Sequence, residues 1–382
     1  MKTVPRIITD FSTIDERDWA RLDHGDNPFL SYAFLNALEA STSISADSGW
    51  QPHHLGLYQG DDLVAFAPTY IKFHSHGEFV FDWAWASAYQ RHGLPYYPKL
   101  LTAIPYSPVT GTRLLVKTGH PEAGLLRQAL VDLAIGECNT RNLSTWHCNF
   151  CSDTDAAALD NEPLLARRDW QYHWFNQDYQ CFDDFLSQLR SRKRKNIRRE
   201  RRRVSESGIR FEWKCGTELS QRDHEFVYAC YQSTFMAYGN HPALQAGFFR
   251  DIAKNMPGRV HVLLAMRDDQ AIAMSFFLSG GGRLYGRYWG CMEEVPGLHF
   301  EAAYYQGIEY CITHGIRVFE SGAQGQHKIS RGFVPSQTRS FHLVRNEAFR
   351  EAIAQYLTRE NQGLDEYREQ LAAHDPFRRD SG

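Results

Sequence analysis

The sequence predicts an α/β (α+β) protein with two domains in tandem, each a mixed, mostly antiparallel sheet flanked by helices. Of its 382 residues, 43% are hydrophobic, which is enough to bury more than one core. A succession of hairpin, third strand, loop, helix and further strand also occurs twice along the chain, and such alternation favours a mixed sheet. We therefore expect one domain over residues 1–178 and a second, with the functional site, over 179–382.

The first copy of this pattern lies in the N-terminal half. Residues 53–58 and 63–73 favour strands, and the Gly-Asp-Asp sequence at 60–62 is typical of a hairpin turn. An aromatic third strand is expected over 78–85. The Gly-Leu-Pro loop at 93–95 is then expected to lead into a helix.

The second copy follows the same order. Its expected elements are strands at 259–266, 271–278 and 283–289, a Pro-Gly-Leu loop at 296–298, a helix at 299–314 and a strand at 317–320. Between and after the copies we expect a strand at 171–176 and helices at 182–204, 221–238, 243–255 and 346–372. The boundary between the domains then falls just before the helix that begins near Asp183.

Positive charge is concentrated in one segment of a chain whose formal net charge is -3. Ten of the fourteen positions from Arg190 to Arg203 are Lys or Arg, whereas the pI near 6.6 excludes a protein that coats nucleic acid over its whole surface. Like charges on adjacent turns repel, so this density favours a phosphate-bearing ligand: a nucleotide, a coenzyme A pyrophosphate, a lipid headgroup or tRNA. A solvated face without a ligand is the alternative. The predicted contacts are Arg192, Lys193, Lys195, Arg198 and Arg199.

Polar residues also gather where two predicted strands end. If 283–289 and 317–320 are parallel neighbours, their C-terminal ends share one edge, where open α/β sheets bind ligands. Glu320, at such an end, is the first choice for a general base toward an ammonium group. His327 either relays a proton or is a plain loop histidine. Glu301 is equally compatible with catalysis and with a first-turn carboxylate that complements the helix dipole.

The residues around these carboxylates complete the predicted site. Gly322 and Gly325 allow a close approach of the backbone to a ligand, while Lys328 and Arg331 offer cations. The predicted substrate contacts are the aromatic side chains of Tyr288, Trp289, Tyr304, Tyr305, Trp85 and Tyr96. The adjacent tyrosines at 304 and 305 are expected to face different sides of their helix, because only one helix face packs on a core.

The cysteines predict neither disulfides nor a metal site. Eight are scattered along the chain, and the pair Cys148-x-x-Cys151 lacks the second ligand pair that a structural zinc site requires. Cys291 is near the predicted site but without a Cys/His/Asn arrangement, so we interpret it as a packing residue. No long apolar run or export segment is evident, which predicts a cytoplasmic protein without a transmembrane segment.

Five segments carry a family resemblance. They are HGLPYYPKL (92–100), IPYSPVTGTR (104–113), SRKRKNIRRERRR (191–203), LHFEAAYYQGIEY (298–310) and FESGAQGQHKISRGF (319–333). Over nearly its full length the chain resembles the FemAB-like N-acyltransferases of the GNAT superfamily. The resemblance implies two GNAT-like domains, transfer of an acyl group to an amine, and a substrate cleft formed with the second domain.

The resemblance leaves the acyl donor open. Glu-Glu-Val-Pro-Gly at 293–297 replaces the glycine-rich pyrophosphate loop of acetyltransferases, and no long helical arm like that of the tRNA-dependent Fem proteins is visible. We favour acyl-CoA as co-substrate, with aminoacyl-tRNA and a peptide or muropeptide acceptor as the alternative. No tightly bound cofactor is expected. A third hypothesis is that the protein binds anionic lipid or nucleic acid without catalysis. Peripheral contact with a membrane is compatible with the basic segment.

The expected chemistry is direct transfer. The acceptor amine, deprotonated by Glu320 or through His327, attacks the activated carbonyl without a covalent enzyme intermediate. Backbone N–H groups near 288–291 are expected to stabilise the oxyanion, and the basic segment with Lys328 and Arg331 to hold a phosphate of the donor or acceptor.

Overall fold

A computed structural model of the protein describes residues 2–161, 163–237, 239–322, 325–373 and 376–377, without the side chains of 326 and 369–373. The chain forms two compact units, Met1–Asp169 with Gln337–Glu366 and Trp170–Ser336 with Tyr367–Gly382. The predicted division into 1–178 and 179–382 therefore needs a correction, because residues 337–366 pack with the N-terminal unit.

The strands of both units are numbered along the chain. They are β1 (Thr3–Ile8), β2 (Trp50–Pro52), β3 (His54–Gln59), β4 (Asp62–Ala67), β5 (Thr69–Lys72), β6 (Lys99–Thr102), β7 (Leu115–Val116), β8 (Thr145–Cys148), β9 (Leu164–Phe175), β10 (Arg210–Cys215), β11 (Val260–Arg267), β12 (Gln270–Gly280), β13 (Arg283–Cys291), β14 (Val318–Glu320) and β15 (Val334–Val344).

The α-helices are numbered in the same way. They are α1 (Glu16–Trp19), α2 (Tyr32–Ala40), α3 (Trp83–Arg91), α4 (Ala123–Thr140), α5 (Asp153–Leu159), α6 (Phe182–Gln188), α7 (Ser191–Ser205), α8 (Gln221–Ala237), α9 (Ala246–Asn255), α10 (Leu298–Phe300), α11 (Gln306–Thr313) and α12 (Glu347–Ala373). A π-helical turn, Glu301–Tyr305, joins α10 to α11, and a 3₁₀ helix covers Gln326–Arg331. No helix within the described ranges is long and apolar enough to span a membrane.

The first unit contains two sheets. One has the strand order β1-β3-β4-β7, and the other runs β15-β8-β6-β5-β2 with the C-terminal part of β15. The pairs are antiparallel except β6 with β8, which are parallel and connected through α4. Leu126, Leu130 and Ala134 of α4 are buried against the apolar side chains of both sheets. This apolar face drives the docking of α4.

The second unit contains one sheet with the order β10-β11-β12-β13-β14-β9. Here too a single parallel pair, β13 with β14, is connected through a helix, the continuous α10–α11 segment. The core between this helix and the sheet includes Leu263, Phe277, Ile308 and Phe319, all 1% exposed or less. Both units therefore repeat a parallel pair within an otherwise antiparallel sheet, as the internal repeat predicts.

Two stretches differ from the sequence prediction. Residues 78–85 are a loop and the start of α3 rather than a strand, because Glu78 and Asp82 point inward while Phe79, Phe81 and Trp83 are exposed. The Gly-Leu-Pro segment at 93–95 follows α3 and leads to β6, not to a helix. The basic segment also differs, since α6 and α7 are separate helices with Leu189 and Arg190 between them.

Candidate active site

The sheet of the second unit opens where β14 ends. The parallel register joins Arg283 to Val318 and Tyr285 to Glu320, and β13 then continues to Cys291 without β14 beside it. A register shift opposite Phe276/Phe277 bulges β13 at the point where the two strands part. Bulges re-aim backbone groups next to active sites, and the C-terminal ends of parallel strands are the usual place for a ligand.

A backbone donor faces this opening. Met292 donates to Ile272 of β12, and the carbonyl oxygen of Trp289 accepts from Thr234 Oγ1 at 2.8 Å instead of from β12. Because successive residues of a strand alternate in direction, the N–H of Trp289 points away from β12, toward the edge that β14 has left. The role of N–H groups near 288–291 in stabilising an oxyanion stays a prediction.

Glu320 is buried at this edge. Glu320 is 5% exposed. Arg283 Nη1 donates to its Oε1 at 2.6 Å, and His173 Nε2 lies 3.7 Å from its Oε2. Within the described chain no group forms a hydrogen bond to Oε2. Burial raises the pKa of the Glu320 carboxyl to about 7, against the opposing charge of Arg283. A carboxylate with this pKa can accept a proton near neutral pH.

Arg283 keeps this carboxyl in place, and the His173 ring lies beside it. Burial, with the cations Arg283 and Lys328, lowers the pKa of His173 to about 3, so the imidazole is neutral. Its Nε2 is 3.1 Å from Gln171 Oε1. Because an amide oxygen only accepts hydrogen bonds, Nε2 is the ring nitrogen that carries the proton. Sequence reasoning missed both neighbours of Glu320. The register of β9 against β14, which pairs His173 with Glu320, brings distant positions together.

Lys328 is the second titratable group of this region. Lys328 is 1% exposed, and its Nζ donates to the carbonyl oxygen of Gly322 at 2.8 Å. Burial lowers the pKa of Lys328 to about 7. Gly322 and Gly325 have φ of +89° and +126°, which favour glycine, and a Cβ at Gly325 would lie 2.6 Å from the His327 ring. Part of the predicted loop, 323–324, lies outside the described residues.

His327 is exposed and sits apart from Glu320. Its Nε2 lies 3.0 Å from the hydroxyl of Tyr304, and its ring packs on Phe300. In the part of the chain that the structure describes, no hydrogen bond or ion pair joins His327 to Glu320. A role of His327 as a proton relay, the alternative to Glu320, stays a prediction.

The π-helical turn corrects the expectation for the adjacent tyrosines. Tyr304 and Tyr305 are both buried, at 5% and 0% exposure. A π turn widens the helix locally, so two consecutive side chains can both pack inward. In a regular α-helix the same two side chains would face different sides. Such turns are frequent at functional sites, and this one borders the opened edge of the sheet.

Glu301, a predicted catalytic residue, is held by α7. Arg201 Nε donates to both carboxylate oxygens of Glu301, at 3.1 and 3.2 Å, and Arg201 Nη2 donates to Glu309 at 2.7 Å. Gln306 adds a donor to Glu301 at 2.9 Å. The carboxylate is therefore satisfied by its neighbours, which favours the interpretation of Glu301 as a structural residue.

Arg331 is likewise engaged. Its Nη2 donates to both oxygens of Glu200 at 3.1 Å, Nη1 donates to the His327 carbonyl at 2.9 Å, and its guanidinium lies 3.6 Å from the Phe300 ring centroid. The Tyr305 hydroxyl donates to the same Glu200 carboxylate. Arg331 is 6% exposed, so its contacts anchor the 3₁₀ helix rather than present a free cation.

The basic helix α7 exposes most of its charge. Arg192, Lys195 and Arg199 are exposed and Lys193 is half-buried, while Ile197 and Val204 are buried beneath them. No carboxylate of the described residues pairs with Arg192, Lys193 or Lys195. Arg198 is the exception among the predicted contacts, because Asp183 accepts from it at 2.8 Å.

A groove of about 600 Å³ runs beside α7. Its apolar lining includes Phe182 and Phe211. Its charged lining consists of the cations Arg198, Arg201 and Arg202 and the carboxylates Asp183, Glu301 and Glu309. A groove with guanidinium groups over aromatic side chains suits a ligand with both an anionic and an apolar part.

The remaining predicted aromatic contacts lie in different surroundings. Tyr288 packs against Tyr231 and Phe249, and Trp289 against His299 at 5.3 Å. The other two are in the first unit. Trp85 contacts His147 and His342 there, and Tyr96 donates to Asp82 Oδ2 at 2.5 Å.

The predicted packing role of Cys291 is compatible with its surroundings. It is half-buried, and burial together with Glu294 raises the pKa of its thiol, which disfavours a nucleophilic thiolate.

Comparisons with known proteins agree with the predicted fold class. Residues 10–379 match the model of the FemAB-like family, described as peptidoglycan biosynthesis/recognition. FemX shares the fold with a TM-score of 0.53 and 10% identity, covering 93% of this chain and 100% of its own. L-PGS from Bacillus licheniformis has a TM-score of 0.50 and 9% identity, covering 85% of this chain and 96% of its own. A search of curated proteins found no match. The predicted fold class, a mixed α/β protein with mostly antiparallel sheets flanked by helices, is thus confirmed.

Proposed function

Because the chain belongs to the FemAB-like family, we propose that it transfers an acyl or aminoacyl group from an activated donor to an amine. The fold that it shares with FemX and L-PGS supports a transferase. The observation that carries the proposal is Glu320, a buried carboxyl with a pKa of about 7 at the end of β14, where the sheet opens beside β13.

The residues of the second unit have separate roles in this reaction. Glu320 accepts a proton from the acceptor ammonium, and the freed nitrogen attacks the donor carbonyl. The Trp289 N–H stabilises the oxyanion, and the bond from the acyl carbon to its sulfur or oxygen leaving group then breaks. The nitrogen gives its second proton to the departing sulfur or oxygen, which yields the neutral amide. Arg283 and His173 position Glu320 and are not catalytic themselves. Lys328, with a pKa of about 7, either holds an anionic group in its charged form or returns a proton to the leaving group.

The donor is proposed to bind along α7. Acyl-CoA is the favoured donor, since its acyl-pantetheine part matches the aromatic lining of the groove beside this helix and its phosphates match the cations of α7. Of the arginines at the groove, Arg202 has no carboxylate partner among the described residues. A second candidate is aminoacyl-tRNA. The exposed Arg192 and Lys195 and the half-buried Lys193, which lie without carboxylate partners among the described residues, favour a polyanion.

The test separates donor binding from chemistry. Wild type and the variant Arg192→Ala/Lys193→Ala/Lys195→Ala are compared for retention on immobilised acyl-CoA and on charged and uncharged tRNA. The matched control removes three exposed cations elsewhere, Lys2→Ala/Arg17→Ala/Arg222→Ala.

Charge-dependent retention on acyl-CoA supports the first donor, and retention on charged tRNA alone supports the second. Glu320→Gln is expected to bind the donor as wild type does and to lose transfer. Binding without transfer in both wild type and Glu320→Gln contradicts the enzyme proposal and favours a non-catalytic binder.

A further inference from the structure

The first unit contains a buried cluster of charge that the proposed reaction does not use. The loop 73–82, between β5 and α3, turns Glu78 and Asp82 inward, at 3% and 0% exposure, while Phe79 and Phe81 face solvent. This inverts the usual placement of apolar and charged side chains. Burying two carboxylates is unfavourable unless partners or a ligand compensate them.

Lys99 compensates only one side of each carboxylate. Its Nζ donates to Glu78 Oε2 at 2.8 Å, to Ser75 Oγ at 3.1 Å and to Asp82 Oδ2. Tyr96 also donates to Asp82 Oδ2. The bonds to Glu78 and Asp82 each reach a single oxygen of the carboxylate, so the second oxygen of each has no hydrogen-bond partner among the described residues.

Several polar side-chain atoms of this cluster form no hydrogen bond with the described residues. Within the described residues, Glu78 Oε1, Asp82 Oδ1, His147 Nδ1 and both ring nitrogens of His342 form no hydrogen bond. His147 and His342 are 0% exposed. Leaving a buried polar group unsatisfied destabilises the fold, so five such atoms in one cluster point to a bound species that satisfies them.

The spacing and chemistry of these atoms fit a metal ion. One ligand atom each from Glu78, Asp82 and His147 lie within 4.8 Å of one another. The His342 ring stands at 90° to that of His147, with centroids 4.5 Å apart. Carboxylate oxygens together with imidazole nitrogens suit divalent first-row metals such as Zn²⁺, Mn²⁺ and Co²⁺.

The cluster also occupies the topological position of the candidate active site. In the second unit, Glu320 of β14 pairs with His173 of β9, and β14 runs parallel to β13. In the first unit, His147 of β8 pairs with His342 of β15, and β8 runs parallel to β6. In both units, therefore, the strand that follows the connecting helix carries a buried titratable residue that pairs with a second one on the next strand. The C-terminal ends of such strands are where ligands bind in open α/β sheets.

We propose that the first unit binds one divalent transition-metal ion through Glu78, Asp82 and His147, with His342 as a fourth ligand or as a group that orients His147. The sequence predicts no metal site because Glu78 and Asp82 are separated from His147 and His342 by long stretches of chain, and the four residues form no ligand motif. Lys99 neutralises the carboxylates in the metal-free protein and competes with the ion for their charge. The inference is independent of the proposed transferase function.

The experiment measures metal binding without any activity assay. Metal-free full-length protein, without an affinity tag, is titrated with Co²⁺, whose visible absorption reports the ligand set, and then with Zn²⁺ as a competitor. Wild type is expected to bind one ion per chain. Asp82→Asn and His147→Gln are each expected to weaken binding at least tenfold, and His342→Gln to weaken it about 10–100-fold, as removal of a ligand or a ligand-orienting group does.

Two further variants make the result decisive. Cys148→Ser/Cys151→Ser removes the buried thiol pair, whose sulfurs are 3.4 Å apart, and is expected to leave Co²⁺ binding unchanged. Lys99→Met removes the competing ammonium and is expected to bind Co²⁺ more tightly than wild type. Folded wild type and folded Lys99→Met that both fail to bind a stoichiometric ion overturn the proposal, as does binding that depends on the cysteines.

Discussion

At the scale of single residues, Glu320 gives the sharpest prediction. Glu320→Gln keeps the shape of the side chain but cannot accept a proton, so we expect kcat to fall by about 10²–10⁴-fold. Wild-type activity should rise with pH through about 7, the pKa to which burial raises this carboxyl. The residual activity of the variant should lack that dependence. Glu294→Gln, at an exposed position near the site, is the matched control.

The same carboxyl predicts a pH dependence of stability. Burial places the folded-state pKa of Glu320 at about 7, above its ordinary value of 4.5, so the folded state binds more protons between these values. Stability should therefore fall as pH rises from about 4.5 to 7, by up to about 3 kcal/mol for this group. Urea unfolding of wild type and Glu320→Gln across this range measures the difference. Parallel curves would contradict it.

Lys328 predicts a pH dependence of stability in the opposite direction. Burial lowers its pKa from 10.5 to about 7, so between these values the unfolded chain binds more protons and stability should rise with pH. Lys328→Met removes this slope, and below pH 7 it should be more stable than wild type by about 1–3 kcal/mol, because a buried ammonium is costly. Chemical denaturation on both sides of pH 7 checks it, with exposed Lys254→Met as control.

Sequence reasoning at this scale finds positions but not partners. Glu320 is recognisable because it ends a short strand before a glycine, a place where packing rarely needs a carboxylate. Its neighbour His173 is contributed by strand pairing over a long stretch of chain, which no local pattern records. The same limit applies to Glu301, whose partner Arg201 decides that its carboxylate is occupied.

At the scale of elements, one of the ion-pair groups that attach α7 can be tested by itself. Arg201→Met leaves the nearly buried Glu301 without its main donor, so we expect a loss of about 2–3 kcal/mol in the free energy of unfolding, near the lower end for a broken buried pair. Arg199→Met, on the exposed face of the same helix, should change it by less than about 0.5 kcal/mol.

A double-mutant cycle tests the contact itself. In a Glu301→Gln background, Arg201→Met should cost clearly less than in wild type, because the buried charge is already gone. Equal costs in both backgrounds would show that Arg201 stabilises α7 by another route, such as its position 4.3 Å over the Phe182 ring.

Elements with strong periodicity are predictable here, and elements set by tertiary contacts are not. Both hairpins, β13 and the α10–α11 segment follow from alternation, turn residues and helical spacing. The 78–85 stretch fails because its aromatic residues are exposed and its charges buried. The π turn is equally invisible to pattern analysis, since it depends on packing both Tyr304 and Tyr305.

At the scale of the whole molecule, the chain returns to its first unit before it ends. β15 supplies Phe341, Leu343 and Val344 to the sheet beside β8, and Ile353 and Leu357 of α12 pack on Trp85, Tyr89 and Tyr96. All are 5% exposed or less. The repeat predicts two domains but not this return, because a linear boundary assigns each residue to its nearer domain in sequence.

This return predicts which fragment folds. Residues 1–178 alone expose the edge of β8 and the apolar face that α12 covers, so we expect no cooperative thermal unfolding by circular dichroism. Residues 1–169 joined to 337–366 through a flexible Gly/Ser linker restore β15 and most of α12, and this fragment should unfold cooperatively. The same fusion with Phe341→Asp and Leu343→Asp, two positions buried in its core, is the control and should not. Cooperative unfolding of 1–178 alone would mean that the C-terminal segment is not needed to complete the first unit.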